Sequence, residues 1–121
     1  MPNYASILDH ANDARTRIRE VAPIELETFD TTQSIFLDVR NEQEFLSGHL
    51  PGAQQLDWTD INEHAAERIP DKSTPIIAYC AIGHRSAIAA DYLQALGYTH
   101  VVSIAGGLQA YEQQLGSRKV A

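Results

Sequence analysis

The sequence predicts an α/β fold in which a central, mainly parallel five-stranded sheet carries helices on both faces and follows an N-terminal amphipathic helix. Short β-branched runs alternate along the chain with segments whose apolar residues recur every three or four positions. Strands that alternate with helices usually pair in parallel, and the connecting helices cover the sheet. Residues 75–79 form an uncharged apolar run between turn-forming residues, which is typical of a central strand buried on both faces.

The first predicted element is an amphipathic helix over residues 3–17. Its apolar positions fall at three- and four-residue steps and are Tyr4, Ile7, Leu8, Ala11, Ala14 and Ile18. We expect this face to dock on the same domain, and a dimerisation arm is the alternative that the sequence leaves open. Residues 17–22 then predict a short strand, and Pro23 suits the first turn of a brief helix that ends near residues 30–32.

A second strand is predicted at residues 34–40. Asn41 and Glu44 have the spacing of a capping box, with Asn in the role of Ser or Thr, so a short helix should follow and end at Gly48. The composition of residues 49–53 predicts a turn.

The next segment predicts a short edge strand at residues 54–56 and a helix at residues 59–68. A loop at residues 70–73 leads into the central strand. The side chains that this helix is expected to bury are Ile61, Ala65 and Ile69.

The last third of the chain predicts helix, strand and helix. The pattern changes to helical spacing after Gly83, and Gly97 stands where a helix end favours a left-handed residue. Residues 100–104 are β-branched and predict the last strand. A double glycine at residues 106–107 then opens a helix whose apolar face holds Leu108, Tyr111 and Leu115.

Length and composition predict one globular domain. The chain has 121 residues, 44% hydrophobic and 21% charged. We divide it into the N-terminal amphipathic helix at residues 1–18, the domain at residues 19–116 and a flexible tail at residues 117–121. The net charge of −7 argues against nucleic acid or an anionic membrane surface as a partner, because both require a basic footprint.

Cysteine and histidine usage bounds the redox and metal chemistry. One cysteine cannot form an internal disulfide or a multi-thiolate metal site, which suits a reducing compartment. Five histidines without ligand spacing predict no metal site, and we expect no cofactor. No leader-like segment opens the sequence, and no stretch approaches the ~18 apolar residues of a membrane span, so the expected location is cytoplasmic.

Cys80 is predicted at the carboxyl end of the central strand, with residues 81–85 leading into a helix N-terminus. Ligands of open α/β sheets bind at this edge, and a helix start offers unpaired N–H groups to an anion. A cysteine reacts as its thiolate, which such N–H groups and a nearby cation, here Arg85, would favour. A lone cysteine is often an inert core residue. The neighbours Gly83, His84, Arg85 and Ser86 favour a nucleophile instead.

Four segments together resemble the rhodanese (sulfurtransferase) family. They are residues 37–40 with Glu44 and Phe45, residues 48–53, residues 80–86 and residues 102–107. The resemblance covers residues 19–115 in the family's order and spacing. It implies a single rhodanese domain whose cysteine takes a sulfane sulfur from a donor such as thiosulfate, becomes a persulfide, and passes the outer sulfur to cyanide or another thiophile.

The resemblance also implies roles for individual residues. Cys80 is the expected nucleophile and sulfur carrier, and the expected substrate-binding residues are Ala81, Ile82, Gly83, His84, Arg85 and Ser86. The supporting residues are Asp38, Arg40 and His49. We hypothesise that Asp38 holds Arg85 by a charge-assisted hydrogen bond, the alternative being a surface ion pair of little energetic weight. His49 is expected to bond within its turn rather than act as a base.

The chain departs from the family pattern in two places. Ala81 and Ile82 make the loop rim less cationic than in relatives, which disfavours the thiosulfate dianion and favours a bulkier or protein-bound donor. Leu108 stands where relatives commonly carry an aromatic residue, which should change packing more than chemistry.

Alternative functions remain open at this point. The chain could be a relay module that passes a persulfide from one protein to another, because it has no second cysteine to resolve the persulfide internally. Cysteine phosphatases of similar fold carry five residues between cysteine and arginine, whereas four separate Cys80 from Arg85. A non-catalytic regulatory domain is the remaining alternative. The expected partners are a small anionic sulfur donor and a thiophilic acceptor, or proteins in those roles.

Overall fold

A computed structural model describes residues 4–117, so most of the predicted tail, residues 118–121, lies outside the described residues. The strands are β1 (Arg19–Val21), β2 (Ile35–Asp38), β3 (Gln54–Gln55), β4 (Ile76–Tyr79) and β5 (Val101–Ile104). The α-helices are α1 (Ile7–Arg15), α2 (Glu42–Leu46), α3 (Ile61–Arg68), α4 (His84–Ala95) and α5 (Gly107–Leu115). Short 3-10 helices cover Pro23–Thr28, Thr31–Gln33 and Trp58–Asp60.

All the strands pair in parallel in the order β1-β5-β4-β2-β3, which confirms the predicted five-stranded sheet. β4 lies at the centre and all of its residues are buried, as its uncharged apolar sequence predicts. β3 is an edge strand, also as predicted. In the register between β2 and β4, Asp38 stands opposite Tyr79. The carboxyl ends of these two strands therefore meet at one edge, with Cys80 immediately beyond β4.

Helices cover both faces of the sheet, as predicted. α3 and α4 bury one face, and the side chains there include Leu37, Val39, Ile61, Ala65, Ala89 and Leu93. α5 and the first 3-10 helix bury the other face, where the side chains include Leu26, Ile77, Val102, Ile104, Leu108 and Tyr111. Leu108 is 5% exposed and belongs to this part of the core.

Helix α1 packs on α4 of its own chain, where Ala11 lies against Ala87 and Ile88. The predicted apolar face is wrong at Ile7 and Leu8, which are both 48% exposed. Small residues line the contact instead, because alanines allow two helix backbones to approach closely. The helix also begins later than predicted, since Ser6 caps it by accepting from the backbone N–H of Asp9.

Local signals place the ends of the other helices. Asn41 and Glu44 form the predicted capping box at the start of α2. Gly97 follows α4 with φ of +104°, the left-handed conformation that its position predicts. None of the helices within residues 4–117 combines the length and the apolar character that crossing a bilayer requires.

Candidate active site

The segment after β4 is shorter than the sequence predicts. α4 begins at His84, so the loop comprises residues 81–83 and Arg85 already lies in the first helical turn. The prediction of five residues before the helix is therefore wrong at its carboxyl end. Gly83 makes the early start geometrically feasible, because its φ of +99° is a left-handed conformation that L side chains rarely adopt.

The Cys80 sulfur accepts hydrogen bonds from the backbone. The N–H groups of Gly83 and Ser86 donate to Sγ at 3.1 and 3.3 Å. Cys80 is 1% exposed, but its sulfur is not surrounded by apolar side chains alone, because these amides also face it. Backbone donors were predicted from residues 81–85. Gly83 meets that prediction, whereas the second donor, Ser86, lies one residue beyond it.

Helix α5 fixes the orientation of the loop. The N–H groups of Leu108 and Gln109 donate to the carbonyl oxygens of Cys80 and Ala81 at 2.8 and 3.0 Å. In a planar trans peptide the N–H points opposite to the carbonyl, so the N–H groups of Ala81 and Ile82 turn away from α5. A Cβ on Gly107 would lie 2.5 Å from the Cys80 carbonyl oxygen. The second glycine of the pair therefore permits the close approach of α5 to the loop.

A buried pair of hydroxyl groups lies beside the sulfur. Ser86 Oγ is 3.5 Å from Cys80 Sγ and 2.8 Å from Ser103 Oγ. Both serines are fully buried. Ser103 belongs to β5, which neighbours β4, and the sequence analysis did not single it out. Its signal is weak, because one serine in an apolar strand has no motif of its own.

Arg85 pairs with Glu44, which corrects the prediction that it pairs with Asp38. The two guanidinium Nη atoms donate to the two carboxylate oxygens at 2.7 and 2.9 Å. The Arg85 guanidinium holds the pKa of the Glu44 carboxyl below its usual range, and the carboxylate raises the pKa of Arg85. Glu44 thus compensates the charge of Arg85.

Asp38 binds Arg40 instead, two residues along the chain. Asp38 accepts from the Arg40 backbone N–H and Nε at Oδ1 and from Nη2 at Oδ2, at 3.1, 2.9 and 2.7 Å. Arg40 Nη2 also donates to the Gly48 carbonyl oxygen at 2.7 Å. Asp38 is fully buried and its two oxygens accept three hydrogen bonds from Arg40, so Asp38 pairs with Arg40 and not with Arg85. The alternative of a surface ion pair is also wrong, because this pair is buried.

The remaining predicted residues lie in the loop, at the start of α4 and just after α2. Ile82 is 51% exposed, and Ala81 is partly buried. His49 Nδ1 lies 2.9 Å from the Phe45 carbonyl oxygen and its ring stacks on Phe45. Its bond is therefore made back to α2 and not within the predicted turn at residues 49–53. His84 Nδ1 is 3.1 Å from Arg15 Nη2 of helix α1. Within residues 4–117, no three His, Cys, Asp or Glu side chains cluster in a way that could hold a metal ion.

Comparison with known proteins gives a family match across most of the chain. Residues 24–114 match the model of the Rhodanese-like domain. The chain is 35% identical to thiosulfate sulfurtransferase PspE of Escherichia coli over 74 residues, which are 61% of this chain and 70% of that protein. It is 30% identical to thiosulfate sulfurtransferase GlpE of Pseudomonas savastanoi over 96 residues, which are 79% of this chain and 89% of that protein.

A solved structure shares the whole architecture, including the N-terminal helix region. It is a protein of unknown function from Rhodopseudomonas palustris, described as a possible tyrosine phosphatase. The TM-score is 0.80, with 24% sequence identity and 98% of each chain covered. At this identity the likeness establishes the fold and nothing about the reaction.

Proposed function

The chain belongs to the rhodanese family and is a rhodanese-type enzyme, and from that premise we propose that it transfers a sulfane sulfur through a persulfide on Cys80. The donor is a small anion such as thiosulfate, and the acceptor is cyanide or another thiophile. The single cysteine suits a reducing compartment such as the cytoplasm.

The observation that carries this proposal is the pair of backbone N–H groups on the Cys80 sulfur, from Gly83 and Ser86. Fixed N–H dipoles favour a negative charge on the atom that they face. Both ionised forms in the reaction, the thiolate and the persulfide, place negative charge on sulfur in this loop. A cysteine that only fills the core does not require two backbone N–H groups directed at its sulfur.

In the first half-reaction the Cys80 thiolate attacks the outer sulfur of thiosulfate. A new S–S bond forms between the enzyme and the transferred sulfur, and the S–S bond of thiosulfate breaks. Sulfite leaves with the bonding electron pair, so no external oxidant or reductant is required. We assign donor binding to the backbone of residues 81–85 and to Ser86, with the Arg85 guanidinium attracting the anion.

In the second half-reaction the thiophile attacks the terminal sulfur of the persulfide. With cyanide, a carbon–sulfur bond forms, the enzyme S–S bond breaks, and thiocyanate leaves. The electron pair returns to Cys80 as thiolate. Discharge has to be intermolecular, because the chain has no second cysteine to act as a resolving thiol.

Intact-mass measurement before and after incubation with thiosulfate tests the proposal. The wild-type protein should gain the mass of one sulfur atom and lose it again on addition of cyanide. Cys80→Ser should gain nothing and should form no thiocyanate in a thiosulfate:cyanide assay. Gain of the same mass by Cys80→Ser, or none by the wild type with any small sulfane donor or persulfidated protein, would refute a persulfide on Cys80.

A second candidate is a protein-to-protein persulfide relay, which two observations at the rim favour. Ile82 exposes an apolar side chain at the tip of the loop, and Glu44 compensates the charge of Arg85. Both features weaken the attraction of the loop rim for a small dianion, and they suit contact between the rim and the surface of a partner protein. Slow thiocyanate formation combined with rapid sulfur transfer from or to a protein thiol would favour the relay over small-molecule turnover.

Phosphate-ester hydrolysis is the least favoured reaction. Four residues separate Cys80 from Arg85, and the Arg85 guanidinium is engaged by Glu44 rather than presented to a tetrahedral ligand. Turnover of an aryl phosphate by the wild type and its loss in Cys80→Ser would reverse this ranking.

A further inference from the structure

Arg15 reaches the cysteine loop from helix α1, which precedes the family-matched residues 24–114. Its Nη2 atom lies 3.2 Å from the Gly83 carbonyl oxygen and 3.1 Å from His84 Nδ1. These contacts join residues 68 and 69 positions apart. The N-terminal helix therefore contacts the site directly as well as packing on α4.

The rest of the guanidinium is held from the opposite side. Arg15 Nε donates to Glu20 at 3.0 Å, and Nη1 donates to Asn12 at 2.9 Å. The Arg15 side chain is only 23% exposed. Because a guanidinium is planar, fixing Nε and Nη1 also fixes the direction of the two hydrogens on Nη2. Those hydrogens match two acceptors, the Gly83 carbonyl oxygen in the loop and His84 Nδ1 at the start of α4.

Gly83 connects Arg15 to the reactive sulfur. The Gly83 amide donates to Cys80 Sγ at 3.1 Å, while the carbonyl of the same residue accepts from Arg15. Glycine has the freest backbone of all residues, so its contacts hold it at a φ of +99°. The Gly83 carbonyl also accepts from the Ala87 N–H and from Ser86 Oγ, each at 3.4 Å, and the bond from Arg15 at 3.2 Å is the shortest of the three. The Arg15 donor on the Gly83 carbonyl limits rotation of Gly83. The Gly83 amide makes the shorter of the two hydrogen bonds to the sulfur.

The same contact sets the tautomer of His84. Arginine has only donors, so His84 Nδ1 must act as the acceptor, and the neutral ring carries its proton on Nε2. Arg15 thereby fixes the His84 ring in the first turn of α4 as well as the backbone of Gly83 before it.

We propose that Arg15 is a positioning residue for sulfur transfer, acting through the Gly83 carbonyl to aim the Gly83 amide at Cys80. The inference rests on the proposed function, since it assigns a role in the same reaction. The charged and titratable groups that face this site from the surrounding elements form two sets. Arg15 is paired with Glu20 and contacts His84, and Arg85 is paired with Glu44 and lies near Asp57.

The test compares Arg15→Ala with Arg17→Ala. Arg17 also joins α1 to α4, through Asp91 at 3.0 and 2.8 Å, but its hydrogen bonds go to Asp13 and Asp91 rather than to the loop. The primary measurement is the rate of Cys80 alkylation by iodoacetamide as a function of pH. This rate reports thiolate reactivity without requiring any sulfur donor, and thiosulfate:cyanide turnover is measured beside it.

Arg15→Ala should slow alkylation at neutral pH by about tenfold, the weight of one hydrogen bond from a charged donor, and should move the midpoint of the pH profile upward. Arg17→Ala should leave rate and midpoint unchanged. Asn12→Ala, which removes one support of the guanidinium from the surface of α1, should produce a smaller shift in the same direction. This milder variant keeps the test informative if Arg15→Ala unfolds.

Three outcomes would overturn the role of Arg15. They are an unchanged profile in Arg15→Ala, an unchanged profile in Asn12→Ala if Arg15→Ala cannot be folded, and equal shifts in Arg15→Ala and Arg17→Ala, which would indicate helix docking alone. Failure of the proposed function looks different. In that case the wild type takes up no sulfur from thiosulfate or a persulfidated protein, whereas the alkylation profiles still report on Arg15.

Discussion

The carboxyl ends of β2 and β4 lie side by side in the sheet, and the chain uses them in opposite ways. At the end of β2, Asp38 and Arg40 form an ion pair whose side chains are 0% and 7% exposed. Their polar atoms bind each other and the Gly48 carbonyl oxygen. At the end of β4, the Cys80 sulfur accepts hydrogen bonds from two backbone amides, and the nearby Arg85 guanidinium is bound by Glu44.

This difference shows how neighbouring strand ends divide structural and chemical work. In the buried ion pair the polar groups of Asp38 and Arg40 bind each other, and Arg40 also holds the turn after α2. These groups are therefore not available to bind a ligand. The cysteine end is organised by backbone dipoles, while the nearby guanidinium groups of Arg15 and Arg85 are engaged by carboxylates at the rim. The following changes probe this division, in decreasing order of expected effect on stability.

Asp38→Asn should cause the largest loss, about 3–5 kcal/mol of unfolding free energy, because it leaves the buried Arg40 guanidinium without its counter-charge. Urea denaturation measures the loss. Asp71→Asn is the matched control, since Asp71 is exposed and its carboxylate accepts from Ser73. Cys80 alkylation in the folded fraction should be unchanged. A strong effect on alkylation with little loss of stability would place Asp38 in the chemistry and remove the contrast.

Gly107→Ala should cost about 2–4 kcal/mol and disturb the loop, because the new Cβ would lie 2.5 Å from the Cys80 carbonyl oxygen at a φ of +61°. Gly52→Ala is the control. Gly52 has a similar φ of +76° but no atom within 4 Å of the added Cβ, so it reports backbone strain alone. Thermal unfolding and sulfur uptake by mass are the measurements. Equal behaviour of the two variants would show that the close approach of α5 does not organise the site.

Ser103→Ala should lower the unfolding free energy by about 1 kcal/mol, because it removes a buried hydroxyl hydrogen bond of 2.8 Å. It should also slow sulfur uptake, since Ser103 Oγ holds the Ser86 hydroxyl, 2.8 Å away, beside Cys80 Sγ. Ser47→Ala serves for comparison, because it loses an exposed bond of the same length. If both variants lose equal stability and react at wild-type rates, the hydroxyl pair is packing only.

Glu44→Gln should have the smallest effect on stability, about 0.5 kcal/mol, because the pair with Arg85 is partly exposed and screened. Glutamine preserves the capping box, so the change isolates the charge. Arg85 lowers the pKa of Glu44 in the folded state. The stability from this pair is therefore present above the ordinary glutamate value of about 4.3 and is lost as the pH falls through the lower folded value.

Unfolding curves of the wild type and Glu44→Gln between pH 3 and pH 7, a range of about four pH units, check this dependence. The difference between the proteins should be constant at neutral pH and should disappear in acid. Release of Arg85 should also speed reaction with thiosulfate if Glu44 compensates its charge at the rim. A difference that grows in acid would contradict the assigned pairing.

The sequence predicted the site where local rules apply. The end of the strand, the positive-φ glycine and the start of the helix all lie within a few residues of the cysteine, so short-range signals locate it. The capping box at Asn41 is a short-range signal of the same kind. The loop boundary was wrong because α4 continues back to His84. The exposed Ile7 and Leu8 were misassigned because helical spacing defines a face but not the neighbour that meets it.

The alternation of strand and helix periods, the turn residues and the order of the motifs were enough to determine the parallel sheet and the cysteine at its carboxyl edge. Only the tertiary structure decided which charges pair. With 9 Lys and Arg against 16 Asp and Glu, sequence offers many equivalent partners for Arg15 and Arg85. The choice of Glu20 and Glu44 depends on where α1 and α2 dock. An ion pair forms only between groups a few ångströms apart, and the whole fold determines which groups come that close.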